Sequence, residues 1–229
     1  KESGEAIVDI REQNNWRIQM MPNPAKPFDS PDHNSGLPSA SFLRSSLYNK
    51  LETMVIKLDE IAPEFGYAPG QLNIRVFEGL RDLDTQGKLF AAKLKEIQSA
   101  NPSFTQEQAV AETSKWVSPV KNNVPAHSTG GAVDLRLYDE KNAQYLDMGK
   151  FGVIWGGNNS APTFSPELTD EQIANRLLLL IAASNTGLVN YPFEYWHFSI
   201  GDRYAAYWLK PIPLQAVYNS IETTTKISK

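Results

Sequence analysis

Pro125-Ala126-His127-Ser128-Thr129-Gly130-Gly131-Ala132-Val133-Asp134-Leu135-Arg136-Leu137 joins a histidine-bearing turn to a strand, and its reading decides the rest of the chain. Ala132 to Leu137 alternates as a strand does. Seven residues separate His127 from Asp134, an odd offset that on one unbroken strand would turn them to opposite faces. Gly130-Gly131 breaks the chain between them and supplies the bend that lets both point inward. Of the three histidines in the chain, a second lies in Phe193-Glu194-Tyr195-Trp196-His197-Phe198. His127, Asp134 and His197 together offer two imidazole nitrogens and one carboxylate oxygen. That set suits one catalytic Zn2+ per chain, with a fourth position open to water. Glu194 is then a spare carboxylate, free to handle protons.

The Glu194–His197 offset of three would put the two residues on opposite faces of an ideal strand. Their aromatic neighbours favour strand over helix. Glu194 is therefore expected at the strand entrance, behind Pro192, with His197 inside. Trp196 is expected to turn away from His197 and pack under the site. Upstream, Leu72-Asn73-Ile74-Arg75-Val76-Phe77 also alternates as a strand and runs into Glu78-Gly79-Leu80-Arg81-Asp82. Arg75, inside the alternation, reads as structural. Arg81, after the turn, reads on its own as a surface charge.

These segments resemble one family. His-x-x-Gly-x-Ala-x-Asp followed much later by Glu-x-Trp-His looks like the zinc metallopeptidases that include lysostaphin, the D,D-carboxypeptidases and Hedgehog-type domains. Within that group the match is closest to the VanX-type D-Ala-D-Ala dipeptidases. Phe77-Glu78-Gly79-Leu80-Arg81-Asp82 is similar to the family's Trp-Asp-Gly-Tyr-Arg-Pro, with Leu80 for tyrosine and Asp82 for proline. The resemblance covers roughly residues 40–208. It implies that Arg81 is a catalytic arginine, that Glu194 is the general base and acid, and that a small D-amino-acid dipeptide is the substrate. The family's usual serine two residues before the first histidine is Pro125 here, which brings neither hydroxyl nor amide donor. A D,D-carboxypeptidase or endopeptidase of peptidoglycan stems is the enzymatic alternative. A catalytically silent zinc module of the Hedgehog type is the other, and retention of both Glu194 and Arg81 argues against it.

The remaining chain reads as scaffold. Ala6 to Ile10 forms a possible strand, and the Pro-rich stretch 21–39 is a loop in which His33 takes no role. Leu43, Leu47, Leu51, Met54, Val55, Leu58 and Ile61 recur at helical spacing, with Gly66 as the stop. Asp84 or Thr85 is expected to cap a helix through Ala100, with Leu89, Phe90, Leu94 and Ile97 inward. Thr105 with Gln108 predicts a capping box for a helix to about Val117, and Thr169 with Gln172 another, closed by Gly187. Residues 139–168 show no core period and read either as a lid or binding wall or as an exposed insertion. Met148-Gly149-Lys150-Phe151-Gly152 within them is similar to a family segment that helps shape the site. Tyr204, Tyr207 and Trp208 are expected to pack back on the sheet after a Gly201-Asp202 turn. Beyond Pro211 the tail is polar and without period.

With 229 residues, 41% hydrophobic and 21% charged, the chain can bury a core. The expectation is an α+β single domain, 1–229, with 1–39 as lead-in and loop and 211–229 as tail. A small, mostly antiparallel sheet carries the zinc ligands, flanked by helices. A net charge of −4 argues against nucleic-acid partners, and no apolar run approaches the ~20 residues of a membrane span. Oligomeric state is left open. Zero cysteine excludes disulfides and thiolate metal sites. With a start at Lys1, that absence favours a trimmed chain of the bacterial periplasm over a cytoplasmic one.

Overall fold

In the computed structural model, residues 2–21, 37–151, 159–209 and 215–221 are described. His33, Gly152 and Pro211 lie outside them. The first elements are β1 (Ile7–Asp9), β2 (Ile18–Met20), β3 (Phe42–Arg44) and α1 (Ser45–Ile61), followed by β4 (Leu72–Glu78). Then come α2 (Leu83–Ala100), α3 (Gln106–Thr113), β5 (Ala132–Asp139) and β6 (Gln144–Tyr145). The chain continues through α4 (Asp170–Ser184), β7 (Val189–Tyr191), β8 (Glu194–Ser199) and α5 (Arg203–Trp208). Mixed helix and sheet is thus the observed architecture.

The main sheet runs β2-β4-β5-β8-β7, with β6 added on β5. Only the β2–β4 pair is parallel among these; the others are antiparallel. Leu72, Ile74, Val76, Val133, Leu135 and Leu137 alternate onto one face and enter a single core with Leu47, Leu51, Met54 and Leu58 of α1 and Leu178, Leu179 and Ala182 of α4. Each such fully buried leucine contributes about 1.5–3 kcal/mol relative to exposure. The register pairs Arg75 with Arg136 and Asp134 with His197, so these residues share the opposite face. One face of the sheet is therefore covered by helices, and the other carries the polar residues.

Several sequence expectations are corrected. α2 is capped by Asp82, whose carboxylate accepts from the Thr85 amide at 2.7 Å, rather than by Asp84 or Thr85. Leu89, Phe90, Leu94 and Ile97 are only half-buried, while Gln86 and Lys93 are buried. The helix packs on α3 and the cleft rather than on the sheet, so no continuous apolar stripe is needed. α3 stops at Thr113, short of Val117, where the chain turns back. The 139–168 stretch is no exposed insertion where it is described. Leu146, Met148, Phe151 and Ala161 join the core, and the Arg176 guanidinium gathers the carbonyls of Met148, Ser160, Pro162 and Thr163. Tyr204 and Trp208 do pack back on the sheet, with ring centroids 6.3 and 6.5 Å from that of Tyr191 on β7, although Trp208 stays partly exposed; Tyr207 is exposed.

The C-terminal segment also does more than its composition suggests. Val217 N donates to Gly201 O at 2.8 Å and Ile221 N to Ser128 O at 2.8 Å, so residues 215–221 run along the back of the His127 turn. The Tyr218 ring lies under the Arg44 guanidinium, 4.2 Å from its centroid, and its hydroxyl donates to Glu5 at 2.6 Å.

Candidate active site

His127 sits in a 3-10 turn, His127–Thr129, ahead of β5 rather than on the sheet, while Asp134 is on β5 and His197 on β8. Gly130 ends the turn at φ 68°, a left-handed conformation that suits glycine. The expected glycine bend is thus where the strand begins. His127 Nε2 stands 3.1 Å from His197 Nδ1 and 3.3 Å from Asp134 Oδ1, and His197 Nδ1 is 2.9 Å from Asp134 Oδ1. All three residues are buried, and among the described residues they form the one cluster of His, Cys, Asp and Glu able to hold a metal ion. Nδ1 of His127 meets the Gly79 carbonyl at 2.8 Å. With that nitrogen as the donor, Nε2 is the ring atom that faces the cluster, and in the neutral ring it carries the lone pair.

Both strands flanking β5 are irregular beside this cluster. On β4 the register shifts between Val76 and Glu78, which brings Glu78 opposite Asp134 and turns its carboxylate to the polar face. Arg81 Nε donates to Glu78 Oε1 at 2.7 Å and Nη2 to Oε2 at 2.5 Å, a bidentate pair, and Nη1 donates to Gln86 Oε1 at 2.8 Å. On β8 the shift lets Glu194 and His197 face the same cavity despite their spacing, with Glu194 Oε2 at 3.8 Å from His197 Nδ1. Trp196 is buried against Phe151, 5.3 Å between centroids, as part of the cleft floor. Arg75 lies away from the cluster, paired with Glu140 and stacked on Tyr138. The structure thus brings His127, Asp134, His197, Glu194 and Arg81 together and leaves Arg75 structural.

Burial alone would raise Asp134, but the two imidazoles hold its carboxyl well below the usual carboxylate range. Burial alone would lower His127, yet the Asp134 carboxylate raises it to about 9. Glu194 is pushed up to about 7 by burial, with Asp134 adding repulsion and the histidines and Arg81 opposing. Burial works against the charge of Arg81, and the Glu78 carboxylate holds it above its ordinary value.

The five groups open on a cleft of about 640 Å³. One wall is Ser114–Ser118 after α3; the other comprises Asn159, Ala161 and Pro162 with Tyr191, Phe193 and Tyr204. Sequence reasoning missed Glu78, Gln86 and this second wall of aromatics. Tyr191 and Tyr204 carry no spacing signal that would have marked them.

Gly79 ties the arrangement together. Its amide donates to Ala40 O at 2.7 Å, and a Cβ there would lie 2.6 Å from Phe42 O and 2.6 Å from Leu43 Cδ2. Gly79→Ala is expected to lower unfolding free energy by about 1–3 kcal/mol, read from the urea midpoint. An unchanged midpoint would show that the backbone shifts without cost.

No curated protein sequence matches the chain. Among solved structures, a vancomycin-resistance D,D-pentapeptidase VanY from a VanB-type cassette with Zn(II) is 18% identical, covers 69% of this chain and 72% of its own, and gives a TM-score of 0.38. VanYB in complex with D-alanine-D-alanine is 18% identical over 69% of this chain and 71% of its own, at 0.39. The LdcB LD-carboxypeptidase is 17% identical over 70% and 60%, also at 0.39. The sequence match is broader in meaning: residues 72–215, from β4 to the C-terminal segment, match the Peptidase_M15 family, described as D-ala-D-ala dipeptidase. With more than half of its 229 residues matched, the chain belongs to that peptidase family.

Proposed function

We propose that the chain is a zinc-dependent peptidase that hydrolyses D-Ala-D-Ala or a closely related dipeptide. The observation that carries this reading is one cleft floor bearing a triangle of ligand atoms, a carboxylate poised near neutrality and a buried guanidinium. Four tetrahedral ligands about 2.0–2.1 Å from zinc stand roughly 3.3 Å from one another. The three ligand atoms here are 2.9–3.3 Å apart, so His127, Asp134 and His197 fit the ion. Zinc, when bound, supplies a Lewis acid that lowers the pKa of a water toward ~7 and polarises a carbonyl.

The chain's own groups do the rest. Glu194 accepts a proton from the attacking water and returns it to the leaving amine as the C–N bond breaks. In the metal-free chain, burial raises this carboxyl to about 7, and a cation held by the neighbouring ligands would favour its carboxylate form, the proton acceptor. Arg81 lines the cleft and has N–H donors beyond those engaged by Glu78 and Gln86, and to these we assign stabilisation of the oxyanion formed on the peptide carbonyl. The Glu78 fork holds the guanidinium in place before substrate arrives.

A D,D-carboxypeptidase acting on stem peptides is the second reading, and the cleft favours it in one respect. Its 640 Å³ lies in the range that encloses drug-sized ligands, more than a dipeptide fills. The deciding experiment follows free D-alanine from D-Ala-D-Ala and from a pentapeptide ending in D-Ala-D-Ala, with chelated controls. Chelator-sensitive release from the dipeptide alone supports the first reading, and release from the pentapeptide the second. Zinc-loaded protein that releases neither would refute both and leave a silent metal-binding module.

Metal uptake is expected to be proton-coupled. In the metal-free protein His127, raised to about 9, is protonated at pH 7, whereas a liganded imidazole must be neutral. Zinc binding at pH 7 should therefore release a proton from this group. Affinity should rise about tenfold per pH unit up to pH about 9, then level off as far as this group is concerned. Calorimetry in buffers of different ionisation enthalpy checks this, and an apparent enthalpy independent of buffer would refute it.

A further inference from the structure

β8 meets a stereochemical difficulty that the site depends on. Glu194 and His197 must face one cavity, yet they stand three apart on a strand. The β7–β8 register runs Val189↔Ser199, Asn190↔Phe198 and then jumps to Tyr191↔Glu194. Tyr195, Trp196 and His197 therefore have no Cα partner on β7. Backbone carbonyls that lose their ladder partners in a buried place need other donors.

One side chain supplies them. Asn190 Nδ2 lies 3.2 Å from Glu194 O, 3.3 Å from Tyr195 O and 3.0 Å from His197 O. An amide has two N–H groups, so one is shared between carbonyls. The orientation of the amide is set from behind, because the Thr163 hydroxyl donates to Asn190 Oδ1 at 2.6 Å. Thr163 is itself buried, and its amide donates to Pro192 O at 2.9 Å, in the turn between β7 and β8. Arg176 Nη1 then grips the carbonyls of Pro162 and Thr163 at 2.7 and 3.2 Å.

We propose that Asn190 is a positioning residue: it fixes the irregular turn of β8 and thereby aims the Glu194 carboxylate and the His197 imidazole at the same point. The inference rests on the roles given above to Glu194 and His197. Asn190 neither lines the cleft nor belongs to the candidate metal cluster. It acts through the backbone of the residues that do, as partners lying behind metal ligands commonly do, where their loss costs about 10–100-fold in metal affinity or activity.

The test uses the full chain with Asn190→Ala, Asn190→Asp and Thr163→Val. Zinc Kd is measured by competition with a chromophoric chelator. The visible spectrum of the cobalt(II)-substituted protein is recorded, and kcat and KM are measured on D-Ala-D-Ala. Asn190→Ala is expected to weaken zinc about 10–100-fold, to alter the cobalt bands and to lower kcat with little change in KM. Asn190→Asp, which sets carboxylate oxygen against carbonyl oxygen, should lose more. Folded Asn190 variants with wild-type zinc Kd and cobalt spectrum would overturn the proposal. If they do not fold, Thr163→Val decides, since it keeps the amide but frees its rotation. Weaker zinc and altered bands support the proposal, and wild-type values overturn it. Should the wild-type protein cleave no peptide, the proposed activity fails, while zinc Kd and the cobalt spectrum still judge Asn190.

Discussion

Glu194→Ala is expected to give a protein that still binds zinc but turns over its peptide about 100–10,000-fold more slowly. Two observations separate base from ligand. The ligand atoms of His127, Asp134 and His197 lie within 4.8 Å of one another, and Glu194 is not in that group. Its carboxylate stands 3.8 Å from His197 Nδ1, beside the cluster, and its side chain keeps 17% exposure at the cleft floor. In the metal-free chain burial, with repulsion from Asp134, raises its carboxyl to about 7. Alanine removes the acceptor and leaves the three metal-binding atoms in place. Zinc content by elemental analysis and kcat on D-Ala-D-Ala measure the two halves. Unchanged turnover would refute the role, and loss of zinc would make Glu194 a ligand.

Arg81→Lys, conservative in charge, is expected to cost about 100–1000-fold in kcat with zinc Kd unchanged. The guanidinium spans both Glu78 oxygens and the Gln86 carbonyl oxygen at once, within 2.5–2.8 Å. An ammonium is a compact point charge and cannot hold that fork while presenting a donor to the cleft. Glu78 is fully buried, so the lysine would be drawn to it and away from substrate. Retained kcat would show that Arg81 serves only to pair Glu78.

Much of this was legible in the sequence because the informative residues are rare or periodic. Histidine occurs three times, so two of them beside carboxylates at spaced positions stood out. The α1 stripe of Leu47, Leu51, Met54 and Leu58 follows the helical period and is buried as expected. α2 misled because its periodic apolar residues are only half-buried, on a helix that packs against α3 and reaches the cleft at Leu89, and because Asp82, read as a departure from a proline, is in fact the cap. Asn190, Thr163 and Glu78 were not legible. Each answers to a break in strand register, and breaks in register leave no pattern in the one-dimensional chain. Pairing of Tyr218 with Arg44 and Glu5 was hidden likewise, since it consists of one ring, one cation and a few backbone bonds.

The packing of residues 215–221 behind the His127 turn has a kinetic meaning for a chain made from its N-terminus. His127 and Asp134 emerge long before His197, and the segment that backs their turn emerges after all three. β4, β5 and the N-terminal elements can assemble while synthesis continues. The three candidate ligands cannot reach their final geometry until β8 has been made, and their turn is not backed until residues 215–221 follow. Closure of the candidate site is thereby timed to the synthesis of residues 215–221, and a fragment ending before them lacks the backing of the His127 turn.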